Sequence, residues 1–331
     1  MNKHIAGIIR LTRYREYMWF VVITTCLGII AAYGAFGWKL AVVLLANELA
    51  VGFAFMINDV EDAADDGQDP AKARRNPVSA GALSARAGYR VSFGVAAVSA
   101  LLFALLGRWP FIIGFACLLI AFFYSWRPVR LKAIPFADLI SHSLMLAGLQ
   151  FAAGYLTFAD GVGPRFLWPF AMVLSFSIYG ELFNELRDLE GDVRAGVTHT
   201  ACVLGPTAAR RLALGFSLFG AFAALVTFFV VRIVPLWVLA LLIAAALVLL
   251  VRPMMRFRRS SSFVAAQAPF QKPVEIAAAL ALSVRVVGPW LNSLANTLMH
   301  SPLASLILAN PWVQQLIRLY QFQSDQLPRL F

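Results

Sequence analysis

Residues 53–70, FAFMINDVEDAADDGQDP, decide how the rest of this chain is read. An apolar run ends there in six acidic residues within eleven positions, Asp59 to Asp69, in a chain that is 60% hydrophobic. Carboxylates so close to lipid are costly, and their presence calls for a partner or a job. The 331 residues include only 14% charged side chains and 27 Phe, with a mean hydropathy of +0.75. That is the composition of a membrane protein rather than of a large soluble core.

Apolar runs of about 17–22 residues, long enough to cross a bilayer, recur along the sequence. The expected spans are 17–36, 40–57, 91–106, 110–124, 138–158, 167–183, 212–231, 235–251 and 274–298, the last interrupted by Arg285. The expectation is an all-α membrane protein, a bundle of about nine transmembrane helices. The connections alternate in charge. Lys39, Arg108, Arg165 and Arg232 mark short, sparsely basic ones. The others hold clusters such as Lys72, Arg74, Arg75, Arg86 and Arg90, then Arg127, Arg130 and Lys132, then Arg187, Arg194, Arg210 and Arg211, and finally Arg252, Arg256, Arg258, Arg259 and Lys272. The positive-inside rule puts this second set and the N-terminus in the cytoplasm.

Residues 1–16 read as a cytoplasmic amphipathic segment without the apolar core and cleavage site of a secretory signal. Residues 299–331 contain an apolar stretch too short to cross comfortably and read as an amphipathic tail. The net charge of +11 is spread over loops, which argues against a nucleic-acid partner and for membrane topology, anionic lipid or an anionic ligand. Cys26, Cys117 and Cys202 have no CxxC spacing and suggest neither disulfides nor zinc.

Asn58, Asp62 and Asp66 fall at i, i+4 and i+8, a stripe on one helix face where the second span leaves the membrane. Asn184, Asp188 and Asp192 repeat the spacing at the same end of the sixth span, and 184 − 58, 188 − 62 and 192 − 66 all equal 126. This offset has the look of an internal repeat whose two half-bundles face each other. One such array alone could be a solvated helix end. Two facing arrays of like charge would repel unless cations lay between them. Carboxylate and amide oxygens without His or Cys suit a hard ion such as Mg²⁺, whose shell phosphate oxygens usually complete. An EF-hand over DDGQDPAKARRN lacks the required spacing and closing Glu. Basic residues on the same face complete a diphosphate clamp: Lys72, Arg74 and Arg75 follow the first array, and Arg127, Arg130 and Lys132 lie in YSWRPVRLK.

These residues resemble the UbiA superfamily of intramembrane prenyltransferases over roughly residues 10–298. Asn58, Asp59, Asp62 and Asp66 match its NDxxDxxxD motif. Asn184, Asp188 and Asp192 match its second, DxxxD motif, and Tyr124, Ser125, Leu131 and Lys132 match its YSxxxxxLK loop. The resemblance implies a nine-helix domain over 17–298 with a central cavity opening to the cytoplasm. It implies an allylic prenyl diphosphate held by two Mg²⁺ ions on Asn58, Asp62, Asp66, Asn184, Asp188 and Asp192. Asp62, Asp66, Asp188 and Asp192 would be catalytic. Lys72, Arg74, Arg75, Tyr124, Arg130, Lys132 and Arg13 would bind the diphosphate. The prenyl group would pass to a lipophilic acceptor in a membrane of bacterial or archaeal type. Phosphoribosyl transfer to a prenyl phosphate and terpene cyclisation share these motifs; a transporter is the reading from another class. Asn76 stands before Pro77 where many relatives carry a basic residue.

Overall fold

A backbone in lipid must satisfy its own hydrogen bonds, and long apolar runs do so as helices. The computed structural model describes residues 3–194, 198–235, 239–240, 243–244, 263–299 and 310–311, with the side chains of 3–4, 191–192, 194, 263–273, 295 and 298–299 left out. All regular elements among the described residues are helical. An amphipathic helix α1 (Lys3–Thr12) leads to α2 (Met18–Ala31) and α3 (Trp38–Glu61), and two short helices follow, α4 (Ala63–Asp66) and α5 (Pro70–Arg75). Next come α6 (Ala85–Leu106), α7 (Arg108–Ser125), α8 (Ala137–Ser143), α9 (Leu149–Leu156), α10 (Pro164–Arg194), α11 (Thr200–Leu225) and α12 (Phe263–Met299). A π-helical turn, Leu144–Gly148, joins α8 to α9 in one membrane-length run.

Among the described residues, seven helical runs are long and apolar enough to cross a membrane: Trp38–Glu61, Ala85–Leu106, Arg108–Ser125, Ala137–Leu156, Pro164–Glu190, Thr200–Val230 and Val274–Leu294. The expected first span is shorter than its sequence suggests. It forms a 14-residue helix that stops at Ala31, because Tyr33 turns into the left-handed region at φ 58. The expected sixth span runs further, as one 31-residue helix to Arg194 that carries the second acidic array beyond its apolar part. The expected span 235–251, the basic cluster from Arg252 to Arg259 and most of the tail 299–331 lie outside the described residues.

The chain divides into two compact units, Met1–Val286 and Val287–Phe331. In the larger unit α3 is central, packing on α2, α6 and α7, with Val43, Ala46, Ala50, Phe53 and Ile57 in the core. The smaller unit's described part is the helical stretch to Met299 and residues 310–311. Leu101, Leu105, Leu218 and Phe222 stay exposed, as lipid-facing side chains do.

Glycine sets the closest helix contact. A Cβ on Gly28 of α2 would stand 2.2 Å from the Phe151 carbonyl oxygen, and one on Gly154 of α9 would stand 2.7 Å from the Thr25 carbonyl oxygen. The two backbones therefore touch in both directions, as small residues permit in membranes. Beside this crossing Asn47 Nδ2 donates to Thr25 Oγ1 (2.8 Å) and to the Gln150 carbonyl (3.1 Å), while Thr24 Oγ1 donates to Gln150 Oε1 (3.0 Å). At the start of α10, Arg165 donates to the carbonyls of Ala31 (2.8 Å), Ile30 (3.3 Å) and Val231 (3.4 Å) and stacks over Tyr33 at 3.8 Å. It thus gathers the ends of α2 and of the α11 run roughly 30 Å along α10 from Asn184 and Asp188. The acidic arrays lie at the other end.

Candidate active site

The first array straddles a helix end rather than lying in one continuous helix. α3 stops at Glu61 and Asp62 caps it, yet the ladder persists: Asp62 N donates to the Asn58 carbonyl (2.9 Å) and Asp66 N to that of Asp62 (2.8 Å). The expected stripe therefore survives the break. The partners of the array come from far along the chain. Lys132 Nζ lies 2.8 Å from Asn58 Oδ1 and 2.5 Å from Asp62 Oδ2, and Arg130 reaches Asp62 Oδ1 at 3.2 Å and Asp65 Oδ2 at 3.0 Å. Arg127 adds a bond to Asp65 Oδ1 at 3.0 Å. Burial presses the Lys132 ammonium below lysine's usual value, opposed chiefly by the charge of Asp62. Burial alone would lift the Asp65 carboxyl, but its bond to Arg130 and the charge of Arg127 outweigh that and hold it low.

Asn76, expected only as a departure from a basic position, has a definite task. Its Nδ2 donates to the Asp59 carbonyl (2.7 Å) and to Asp66 Oδ2 (2.9 Å), and its Oδ1 accepts from Val78 N (2.9 Å). It is buried, and it pins the loop after α5 to the array.

The second array is open. Asp188, with its side chain 53% exposed, pairs with Arg187, its neighbour in sequence, at 2.8 Å. Asn184 Nδ2 reaches Glu181 Oε2 at 3.4 Å. The Asp192 side chain lies outside the described residues. Two consecutive residues at the end of α7 join the arrays. Ser125 Oγ donates to Asn58 Oδ1 (3.2 Å), and Tyr124 Oη donates to Glu181 Oε1 (3.2 Å), one turn before Asn184. The last turn of α3 and the part of α10 just before Asn184 are thereby both tied to the C-terminal end of α7.

The basic residues expected at a diphosphate divide into groups. Arg130 and Lys132 stand on the first array, whereas Lys72 and Arg74 are exposed on α5. Arg75 pairs with Glu16 at 2.8 Å. Arg13 pairs with the buried Asp59 (3.1 Å) and with Glu16 (2.6 Å), and lies over the Phe55 ring. Glu181 was not singled out in the sequence, yet it gathers Tyr124, Asn184 and His142 (3.2 Å); only its place one turn before Asn184 marked it. Asn58, Asp62 and Asp66 fit a hard divalent ion: their donors are amide and carboxylate oxygens, and the ammonium of Lys132 already brings two of them onto one cation.

A model of the UbiA prenyltransferase family matches residues 21–272. Over 138 residues the chain is 28% identical to the bacteriochlorophyll synthase 33 kDa chain of Cereibacter sphaeroides, covering 41% of this chain and 46% of that one. Over 161 residues it is 32% identical to a lycopene elongase/hydratase of Haloarcula japonica, covering 46% and 50%. The matches thus span about half the length of these two relatives. Among solved structures, a UbiA homologue from Archaeoglobus fulgidus bound to GPP and Mg²⁺ superposes with a TM-score of 0.62 at 22% identity, over 84% of this chain and 99% of that one. A homologue from Aeropyrum pernix K1 gives 0.64 at 15%, over 83% and 98%. At these identities the structural likeness speaks for the fold.

Proposed function

The chain belongs to the UbiA prenyltransferase family, and from that premise we propose that it moves a prenyl group from an allylic prenyl diphosphate to a lipophilic acceptor, in a Mg²⁺-dependent reaction inside the membrane. The observation that carries this reading is the oxygen cluster of Asn58 and Asp62 closed around the Lys132 ammonium, with Arg130 beside it. Asn58, Asp62 and Asp66 on one side and Asn184, Asp188 and Asp192 on the other would hold two Mg²⁺ ions. Bound there, Mg²⁺ supplies positive charge that stabilises the leaving diphosphate.

The chain's own residues do the rest. Lys132 and Arg130 sit on carboxylates at rest, and both are placed to turn their donors to phosphate oxygens when a diphosphate arrives. Lys72, Arg74, Arg75, Arg13 and Tyr124 extend that anion site. The allylic C–O bond breaks with its electron pair leaving on diphosphate, the acceptor's nucleophilic atom bonds the allylic carbon, and the acceptor gives up a proton. Once turned to the bound diphosphate, these donors need little further reorganisation as charge develops on the leaving group. The prenyl tail prefers the apolar helices or the bilayer to water by about 0.8 kcal/mol per CH₂. The positive-inside pattern supports a site on the cytoplasmic side of a cell membrane. The A. fulgidus homologue's bound GPP and Mg²⁺ support the donor class, and the two relatives' names, with a chlorophyll pigment and a carotenoid in them, suggest a large lipophilic acceptor.

The test is purified chain in detergent with Mg²⁺ and prenyl diphosphates of graded length, with and without such acceptors. Diphosphate released only when an acceptor is present supports prenyl transfer. Release without any acceptor replaces it with cyclisation or hydrolysis, and no release under any condition overturns it.

A further inference from the structure

Beside the second array, three buried side chains from three segments converge, and the prenyl-transfer reading uses none of them. Asp138 opens α8 (1% exposed), Glu185 lies in α10 (6%) and His199 precedes α11 (6%). One ligand atom from each lies within 4.8 Å of the other two. Glu185 is out of step with the 184, 188, 192 stripe, so the group is separate from the array.

The bonding around these residues leaves charge and lone pairs over. Asp138 Oδ1 accepts from Thr200 Oγ1 (2.6 Å) and Leu139 N (2.7 Å), and its Oδ2 accepts from Thr200 N (2.6 Å), which leaves one acceptor direction on Oδ2. Glu185 Oε2 accepts from Ala201 N (2.8 Å) and lies 3.3 Å from His199 Nδ1. Glu185 Oε1 is buried with no hydrogen-bond partner. Among the described residues neither carboxylate has a lysine or arginine ion pair; Glu185 has only the imidazole. Two carboxyl groups this close and shut away from water are balanced either by a shared proton or by a cation, and the orphan Glu185 Oε1 is an oxygen that a cation would satisfy.

We propose that Asp138, Glu185 and His199 form a binding site for one divalent transition ion of the Zn²⁺ or Mn²⁺ class. Imidazole with two carboxylates suits such an ion better than Mg²⁺, for which oxygen-only donors are usual. Bound there, the ion ties the starts of α8 and α11 to α10, three residues before Asp188. Because an ion of this kind binds the folded site and not a dispersed chain, it raises stability. The site stands apart from the prenyl-transfer proposal and is tested without it.

The experiment uses the full chain in detergent, its affinity tag removed, stripped with chelator, dialysed against Zn²⁺ alone and desalted. Metal content by mass spectrometry and the melting temperature are the readouts. The expected result is one tightly held equivalent and a higher melting temperature, both kept in D62N/D188N. In H199A and E185Q, binding weakens tenfold or more and the shift disappears. An equivalent absent from the wild type, kept by H199A or lost in D62N/D188N overturns the proposal. Should H199A not fold, the visible spectrum of the wild-type chain with Co²⁺ decides: bands of an imidazole–carboxylate complex support the site, and the spectrum of hydrated Co²⁺ overturns it.

Discussion

The two acidic arrays are spelled alike and built differently. At Asp62 the chain returns from 70 residues away to place Lys132 on the carboxylate, and the Asp62 side chain is only 17% exposed. At Asp188 the partner is the adjacent Arg187, and the side chain is 53% exposed. The repeat in sequence therefore does not produce two equal sites. The first array is assembled and charge-balanced by the fold itself. The second is left for a ligand to complete. On the proposed reaction, a diphosphate meets one finished wall and one unfinished wall.

The largest effect that can break this contrast is on turnover combined with stability. D62A and D188A should each lower diphosphate release from geranyl diphosphate, with Mg²⁺ and a working acceptor, by about a hundredfold or more. Only D62A should also lower thermal stability, by about 1–3 kcal/mol, since it leaves the half-buried Lys132 ammonium with the Asn58 amide alone. D188A removes an exposed pair and should stay within about 1 kcal/mol. Equal melting losses in the two variants would erase the contrast.

Lys132→Met sharpens it further. Without the competing ammonium, Mg²⁺ should bind the ligand-free chain more tightly, by about tenfold, since about 1.4 kcal/mol of competition is enough for that. kcat/KM for the prenyl diphosphate should fall in the same variant. Weaker Mg²⁺ binding, read by calorimetric titration, would show that Lys132 supports the ion instead of standing in its place.

Asn76→Ala touches only the first wall. It leaves the Asp59 carbonyl and Asp66 without a buried donor and should cost about 1–3 kcal/mol in thermal unfolding. A neutral result would mean that the loop after α5 is held by something else.

Asp65→Asn should have the smallest effect, no more than about 1 kcal/mol, because the Asp65 pairs with Arg127 and Arg130 are half exposed. The Asp65 carboxyl is held below its unfolded value, so its contribution is present above the unfolded pKa of about 3.9 and fades as pH falls through the lower folded value. Wild type and variant should differ at pH 6 and coincide in strong acid. A difference that grows on acidification would contradict the assignment.

What could be read from the sequence was whatever repeats or alternates along it. The apolar runs mark the helices, and the 126-residue offset marks Asn58, Asp62 and Asp66 with Asn184, Asp188 and Asp192 as a pair of arrays. YSWRPVRLK marks Tyr124, Arg130 and Lys132. Illegible were contacts between residues with no common period. Nothing in the spelling sets Asp138 beside His199, or Arg13 on Asp59, because those meetings arise only when separate helices pack. Asn76 is the instructive case. As a letter it is a lost positive charge; in place it is a double donor tying a loop to a carboxylate. The early end of α2 was hidden too, since the left-handed turn at Tyr33 interrupts an otherwise apolar run.

The crossing of α2 and α9 bears on how a long hydrocarbon could get in. With Gly28 and Gly154 bringing main chain onto main chain and an amide–hydroxyl mesh through Asn47 and Gln150 beside them, that side of the bundle is riveted. Prising it apart would strand polar groups in oil. On the proposed reaction a prenyl tail would therefore enter between other helices, and a bulky residue at Gly154 should force α2 from α9 and lower the melting temperature.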